Sequence, residues 1–174
     1  MQRVALPAAW VCVAAATLAA QDNAATAVHR YRAAIAALMQ LKPGMSVAEV
    51  GSSPAAVIAS ELAPLVGPNG RVMFGTLDRT TGAIGIPDGR VDAIALIEVF
   101  SATDLHKGVI DRAAAALGTG GILLVVDVPQ ENDGRKVTGL EADDVVKLAA
   151  AAGLKREAES GIVPGHYSIR FRKP

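Results

Sequence analysis

The sequence is poor in aromatic residues, in cysteine and in net charge. Aromatics make up 3% of the 174 residues. The core therefore has to be assembled from Ala, Val, Ile and Leu, and with regularly spaced Gly this points to helices packed closely on a sheet. The length suits one domain, since domains cluster near ~100–150 residues. The 17 Lys and Arg balance 17 Asp and Glu. The sequence thus shows no electrostatic footprint for a polyanion, and nucleic acid is not expected as the main partner. The three histidines (His29, His106, His166) are scattered without metal-ligand spacing, so no metal site is expected. No Gly-x-Ser-x-Gly elbow, phosphate-loop Lys pattern or Gly-x-Gly-x-x-Gly fingerprint is present, which disfavours a dinucleotide.

The single cysteine, Cys12, lies in an N-terminal run unlike the rest of the chain. Arg3 is followed by an uncharged, Ala/Val/Leu-rich stretch from Val4 to Ala20, and then by small residues around Thr17-Leu18-Ala19 and Ala25-Thr26-Ala27. This is a secretory signal pattern. Val11 is larger than a lipoprotein processing site accepts. A retained membrane anchor is the alternative, although the run with Pro7 inside it falls short of the ~20 residues a span needs. An ordinary N-terminal helix is a third reading. We read residues 1–27 as signal peptide and linker and 28–174 as the folded domain. The protein is then exported, periplasmic or secreted, with no stable membrane insertion after cleavage. The mature chain would have no disulfide and no cysteine nucleophile.

Helical periodicity covers His29–Leu41, and Lys42-Pro43-Gly44 stops it. A strand over Val47–Val50 ends at Gly51. The next helix is expected from Pro54 to about Val66, capped by Ser52 or Ser53. Gly67-Pro68-Asn69-Gly70 is a turn before a strand over Arg71–Leu77. A Gly- and Thr-rich link with a Pro87-Asp88-Gly89 turn leads to an apolar, central strand over Val91–Ile97. Thr103 or Asp104 is expected to cap a helix running to about Leu117, which Gly118-Thr119-Gly120-Gly121 ends. A strand over Ile122–Val128, a polar loop over Pro129–Gly139 and a helix over Glu141–Ala152 capped by Gly153 follow. The last strands are Leu154–Ser160 and an alternating Tyr167–Arg172 at or near an edge. Such alternation predicts a mostly parallel sheet covered on both faces, with ligands beyond the C-terminal strand ends.

Four blocks, in order, resemble the class I S-adenosylmethionine-dependent methyltransferases. They are Leu41-Lys42-Pro43-Gly44-Met45-Ser46-Val47-Ala48-Glu49-Val50-Gly51, Val91–Phe100, Leu117–Asp127, and Leu140–Gly153 followed by Tyr167–Phe171. The resemblance spans about residues 29–174. It implies a Rossmann-like three-layer sandwich whose mostly parallel sheet carries an antiparallel C-terminal strand. It also implies S-adenosylmethionine as cofactor, with Glu49, Gly51, Ser52, Ser53, Asp78 and Glu98 as its contacts, and a small molecule as methyl acceptor.

The sequence departs from the family at three places. Ser53 and Ala55 stand at glycine positions of the cofactor loop, where a positive φ would cost each on the order of 1 kcal/mol or more. Thr76 aligns with the ribose-binding carboxylate, and Asp78 is the nearest substitute. The thirteen residues from Asp78 to Arg90 are too few for the family's next helix and strand, so this unit is expected to be absent. The strand Arg71–Leu77 would then be an edge open to homodimer pairing, and the adenine side of the pocket would be open.

Glu98 is expected as a cofactor or substrate contact. His106 is weighed as a base or a solvated surface residue, Asp104 as a contact or a cap, and Asp127 as facing the pocket or capping its loop. Tyr167 is expected to pack. The catalytic group is left unassigned. The alternative function is a catalytically inactive binding or assembly protein of this fold that no longer takes the cofactor. An exported compartment, with no obvious supply of the cofactor, would suit that alternative.

Overall fold

The computed structural model describes residues 27–52, 56–86, 91–132 and 137–174. The expected signal segment with Cys12, the Ser53-Pro54-Ala55 stretch and the Pro87-Asp88-Gly89 stretch expected as a turn lie outside the described residues.

The chain runs α1 (Arg32–Leu38), β1 (Ser46–Gly51), α2 (Ala59–Val66), β2 (Arg71–Asp78), β3 (Ala83–Ile84), β4 (Val91–Ile97), α3 (His106–Ala116), β5 (Leu117–Asp127), β6 (Glu131–Asn132), β7 (Val137–Thr138), α4 (Ala142–Ala151), β8 (Lys155–Ser160) and β9 (Tyr167–Arg172). A short 3-10 turn, Phe100–Ala102, precedes α3. Seven strands form one sheet in the order β3-β2-β1-β4-β5-β9-β8. The pairs β1–β2, β1–β4 and β4–β5 are parallel. β9 lies antiparallel between β5 and β8. This is the expected mostly parallel sheet with an antiparallel C-terminal strand.

Strand alternation divides the interior into two cores, because successive side chains point to opposite faces. Ala48, Val50, Ile94, Leu96, Leu123 and Val125 face α3 and α4. Val47, Ala93, Ala95, Leu124 and Val126 face α1 and α2, where Ile35, Met39, Ile58 and Leu62 cover them. Each fully buried large aliphatic contributes about 1.5–3 kcal/mol, so the two cores hold the three layers together without help from aromatics. β4 is buried except at Asp92, which accepts the Ser46 N–H at 2.7 Å and ties the start of β4 to β1.

Several boundaries differ from the sequence expectation. α1 is shorter than His29–Leu41; a separate helical turn occupies 27–30, and Gln40 takes a φ of +51° directly after the helix. α2 begins at Ala59, well after Pro54, and its N-cap position is Ile58, with no side-chain cap of its own. At α3 the N-cap position is Leu105. Thr103 Oγ1 accepts the Leu105 N–H at 3.2 Å. The Gly118–Gly121 tract belongs to β5. Gly120, at φ +75°, donates its N–H to Lys173 O, while Lys173 donates to Gly121 O. The tract is thereby paired with the residues after β9. Lys173 Nζ donates to Ala114 O and Leu117 O, capping the carbonyl end of α3. The polar loop expected over Pro129–Gly139 contains a two-residue ladder, β6–β7.

The family's helix and parallel third strand are absent among the described residues after Asp78, as the length predicted. β2 is not a bare edge, however. The chain turns back as a tight hairpin, and β3 pairs antiparallel with Leu77 and Asp78. No helix among the described residues is long and apolar enough to cross a membrane.

Candidate functional site

The parallel strands end together. Gly51 lies level with Thr76 of β2 and Ile97 of β4, so the segments after these residues share one rim. Of the expected contacts, Gly51, Ser52, Asp78 and Glu98 meet there. Ser53 lies outside the described residues.

Glu49 sits two residues before Gly51, is fully buried, and points toward α2. Its Oε1 accepts the Val57 N–H at 2.5 Å. The Ile58 N–H is shared between Oε1 and Oε2 at 3.2 and 3.1 Å. The first N–H groups of a helix lack intrahelical partners, and here the carboxylate of the neighbouring strand satisfies them. The carboxylate thus stands in for a side-chain cap where Ile58 holds the N-cap position. Burial raises the Glu49 pKa, against the pull of these N–H groups and of His29.

Ser52 donates its N–H to Ile97 O at 3.3 Å, and its carbonyl accepts Arg79 Nη2 at 3.2 Å. Asp78 is exposed. Its Oδ1 accepts the Thr80 hydroxyl at 2.6 Å, the Thr80 N–H at 2.8 Å and the Thr81 N–H at 3.2 Å. These bonds, led by the Thr80 hydroxyl, hold its pKa at about 2. The carboxylate thus shapes the hairpin turn. Thr103 Oγ1 donates to Arg79 O, and Arg112 Nη1 donates to Thr81 O. The hairpin is therefore fastened across to the segment after β4.

Glu98 follows β4 with a φ of +52°, a conformation costing an L-residue about 1–2 kcal/mol. Three bonds hold it there. Its N–H donates to Val126 O at 2.8 Å, its carbonyl accepts the Ser101 hydroxyl at 3.2 Å, and its Oε1 meets His166 Nε2 at 3.0 Å. His166 Nδ1 lies 3.0 Å from Pro164 O. Both ring nitrogens thus face oxygen acceptors. Burial lowers the His166 pKa, but the bonds to Glu98 and Pro164 and the nearby Asp127 outweigh it, and the net direction is upward.

Asp127 is fully buried and caps its surroundings. Oδ2 accepts the Phe100 N–H at 2.7 Å and Oδ1 the Val128 N–H at 2.9 Å. Burial pushes its pKa up to about 6, with Glu98 adding to the rise. Tyr167 packs in the core as expected, but its hydroxyl has no hydrogen-bond partner among the described residues. His106 is half-buried rather than solvated. Its Nε2 lies 3.1 Å from Phe100 O, and its ring stands edge-on to Phe100 at 5.5 Å. No group of three or more His, Cys, Asp or Glu among the described residues is arranged to hold a metal.

Sequence reasoning missed the Glu98–His166 pair, which is 68 residues apart in the chain. The available signal was topological: an antiparallel last strand starts where β5 ends, and Tyr167 is the partner of Asp127. Arg79 gave no signal, because its role depends on the hairpin.

No protein-family model matches the chain. No curated protein matches it either. Solved structures do match by shape. A S-adenosylmethionine-dependent methyltransferase from Aquifex aeolicus superposes with a TM-score of 0.63 at 16% identity, covering 77% of this chain and 85% of that one. The [4+2]-cyclase SpnF superposes at 0.59 and 16% identity, covering 84% and 80%. An O-methyltransferase family 2 protein from Planctomyces limnophilus, in complex with apigenin, superposes at 0.52 and 18% identity, covering 76% and 50%. With its strand order and antiparallel last strand, the chain has the fold of the class I S-adenosylmethionine-dependent methyltransferases.

Proposed function

We propose that the chain is an S-adenosylmethionine-dependent methyltransferase acting on a small molecule. The observation that carries this reading is the convergence of Gly51–Ser52, Asp78–Arg79 and Glu98 on one rim of three adjacent parallel strands. Ligands of open α/β sheets bind in that position.

The residues there fit the cofactor by charge. Glu98 offers a carboxylate, 21% exposed as a side chain, to the amino or sulfonium end. Arg79 offers a guanidinium, already at Ser52 O, to the carboxylate. Asp78 and the exposed Thr76 offer acceptors to the ribose hydroxyls. Bound there, S-adenosylmethionine would supply a methyl group on a sulfonium. The chain's own part is to bind, to orient and to exclude water. Glu49 contributes indirectly, by holding the start of α2 against β1 although Ser53 and Ala55 replace glycines. A small acceptor accords with the balanced charge, and a solved neighbour of the fold holds apigenin. Export through the N-terminal leader is part of the proposal; mass spectrometry of the N-terminus after fractionation tests it, and an intact Met1 in the cytosol would contradict it.

Calorimetry with S-adenosylmethionine and S-adenosylhomocysteine tests the cofactor reading. Micromolar binding that Glu98→Gln weakens supports it. No heat at millimolar ligand, with the protein folded, would overturn it in favour of an inactive binding protein. Glu49→Ala is unsuitable for this test, because Glu49 carries the start of α2.

A further inference from the structure

We propose that His166 is a positioning residue which, as an imidazolium, holds Glu98 in its left-handed conformation at the rim, so that ligand binding through Glu98 weakens as His166 loses its proton. The proposal rests on the methyltransferase reading for the identity of the ligand but not for the state of the pair.

The geometry points to the charge. A neutral imidazole has one N–H donor and one bare nitrogen. Here both nitrogens face acceptors, Glu98 Oε1 and Pro164 O, at 3.0 Å each. With Glu98 ionised, only the doubly protonated ring makes both bonds. On deprotonation, one contact becomes an approach of lone pairs. The His166 side chain is 1% exposed, so water has little room to relieve it.

The neighbours favour the same state. Glu98 follows β4 and Asp127 ends β5, and both act on the ring as negative charges. Tyr167, next along β9, is held neutral by burial. Glu141, ahead of α4, acts on Tyr167.

The consequence falls on Glu98. Residues kept in sparsely populated backbone regions persist where their surroundings over-determine them, and they gather at functional sites. Glu98 is fixed through its N–H, its carbonyl and its carboxylate. The carboxylate bond to His166 is the only one of the three that depends on pH. A ligand group bearing positive charge or an N–H donor would therefore meet a correctly placed carboxylate only while His166 is charged.

Two measurements on the full chain test this. The first is nitrogen-15 NMR of the His166 ring in the ligand-free protein. At pH 7 both nitrogens should carry protons, and Glu98→Gln should shift the titration of His166 to lower pH. A neutral ring at pH 7, or a titration indifferent to Glu98→Gln, would overturn the proposal. The second is calorimetry with S-adenosylmethionine from pH 6 to 9. Wild type should lose about ten-fold in affinity as His166 deprotonates. His166→Gln, confirmed folded by circular dichroism, should bind weakly with a flat profile. A His166→Gln variant that keeps the wild-type affinity and pH profile would overturn the proposal. If that variant does not fold, Glu98→Asp, which retains the charge but shortens the reach, should show the same weakened binding, and unchanged binding would count against the proposal. Absence of binding by wild type at every pH would overturn the cofactor reading, and the ring-nitrogen result would then decide the pair alone.

Discussion

The Glu49 carboxylate is buried and accepts the Val57 and Ile58 N–H groups ahead of α2. Its place at the end of β1 was legible, because an acidic residue followed by Gly51 ends an apolar run. Its use was not, because the Val57 and Ile58 N–H groups come to it only after the chain has turned. Removing the carboxylate leaves two N–H groups short of their acceptor, Ile58 among the buried residues. Glu49→Ala should cost about 3 kcal/mol in urea unfolding, the usual scale for bonds to a charged group together with an unsatisfied donor. A loss below about 1 kcal/mol would show that the α2 start finds other acceptors. Asp127 carries a second residue-scale prediction. Its folded pKa of about 6 stands above the ordinary aspartate value of 3.8. The stability this confers is fully present below pH 3.8 and is lost as pH rises through about 6. The shift corresponds to about 3 kcal/mol at ~1.4 kcal/mol per unit. His166, also raised, contributes in the same direction at higher pH. Asp78, held at about 2, acts oppositely but only in strong acid. Melting temperature should therefore fall between pH 4 and 7, and Asp127→Asn should flatten that fall; an unchanged slope in the variant would contradict the assignment.

The elements were legible where hydrophobic period decided them. β4, β5 and β9 fell within a residue or so of their expected bounds, apart from the glycine tract at the head of β5. That tract reads locally as a helix stop, and the pairing of Leu117 with Val91 and of Gly120 and Gly121 with Lys173 makes it strand. The β2–β3 hairpin is the other tertiary surprise. Counting residues excluded a helix and a strand but could not say where the short link would go. It crosses to α3, and Gly82 makes the crossing possible. Gly82 has a φ of +66°, and a Cβ there would stand 3.1 Å from Leu105 Cβ. Gly82→Ala should destabilise by about 1–2 kcal/mol and speed amide exchange at Thr80 and Thr81, with β4 and β5 unaffected. Exchange that accelerates uniformly would mean that the hairpin is not a separate unit.

At the scale of the whole molecule, the fold was legible because four sequence blocks and two hydrophobic periods agreed on one topology. The site was less so. Its members come from segments 68 residues apart, and the deletion after Asp78 changed what surrounds them. The account places ligand binding at the shared rim of β1, β2 and β4. The most direct measurement is the change in backbone amide NMR signals when S-adenosylmethionine is added to the labelled chain. Shifts concentrated at Gly51, Ser52, Asp78, Arg79 and Glu98 are predicted. Saturating ligand that moves none of these signals, or only those near Arg170 and Arg172, would contradict the account.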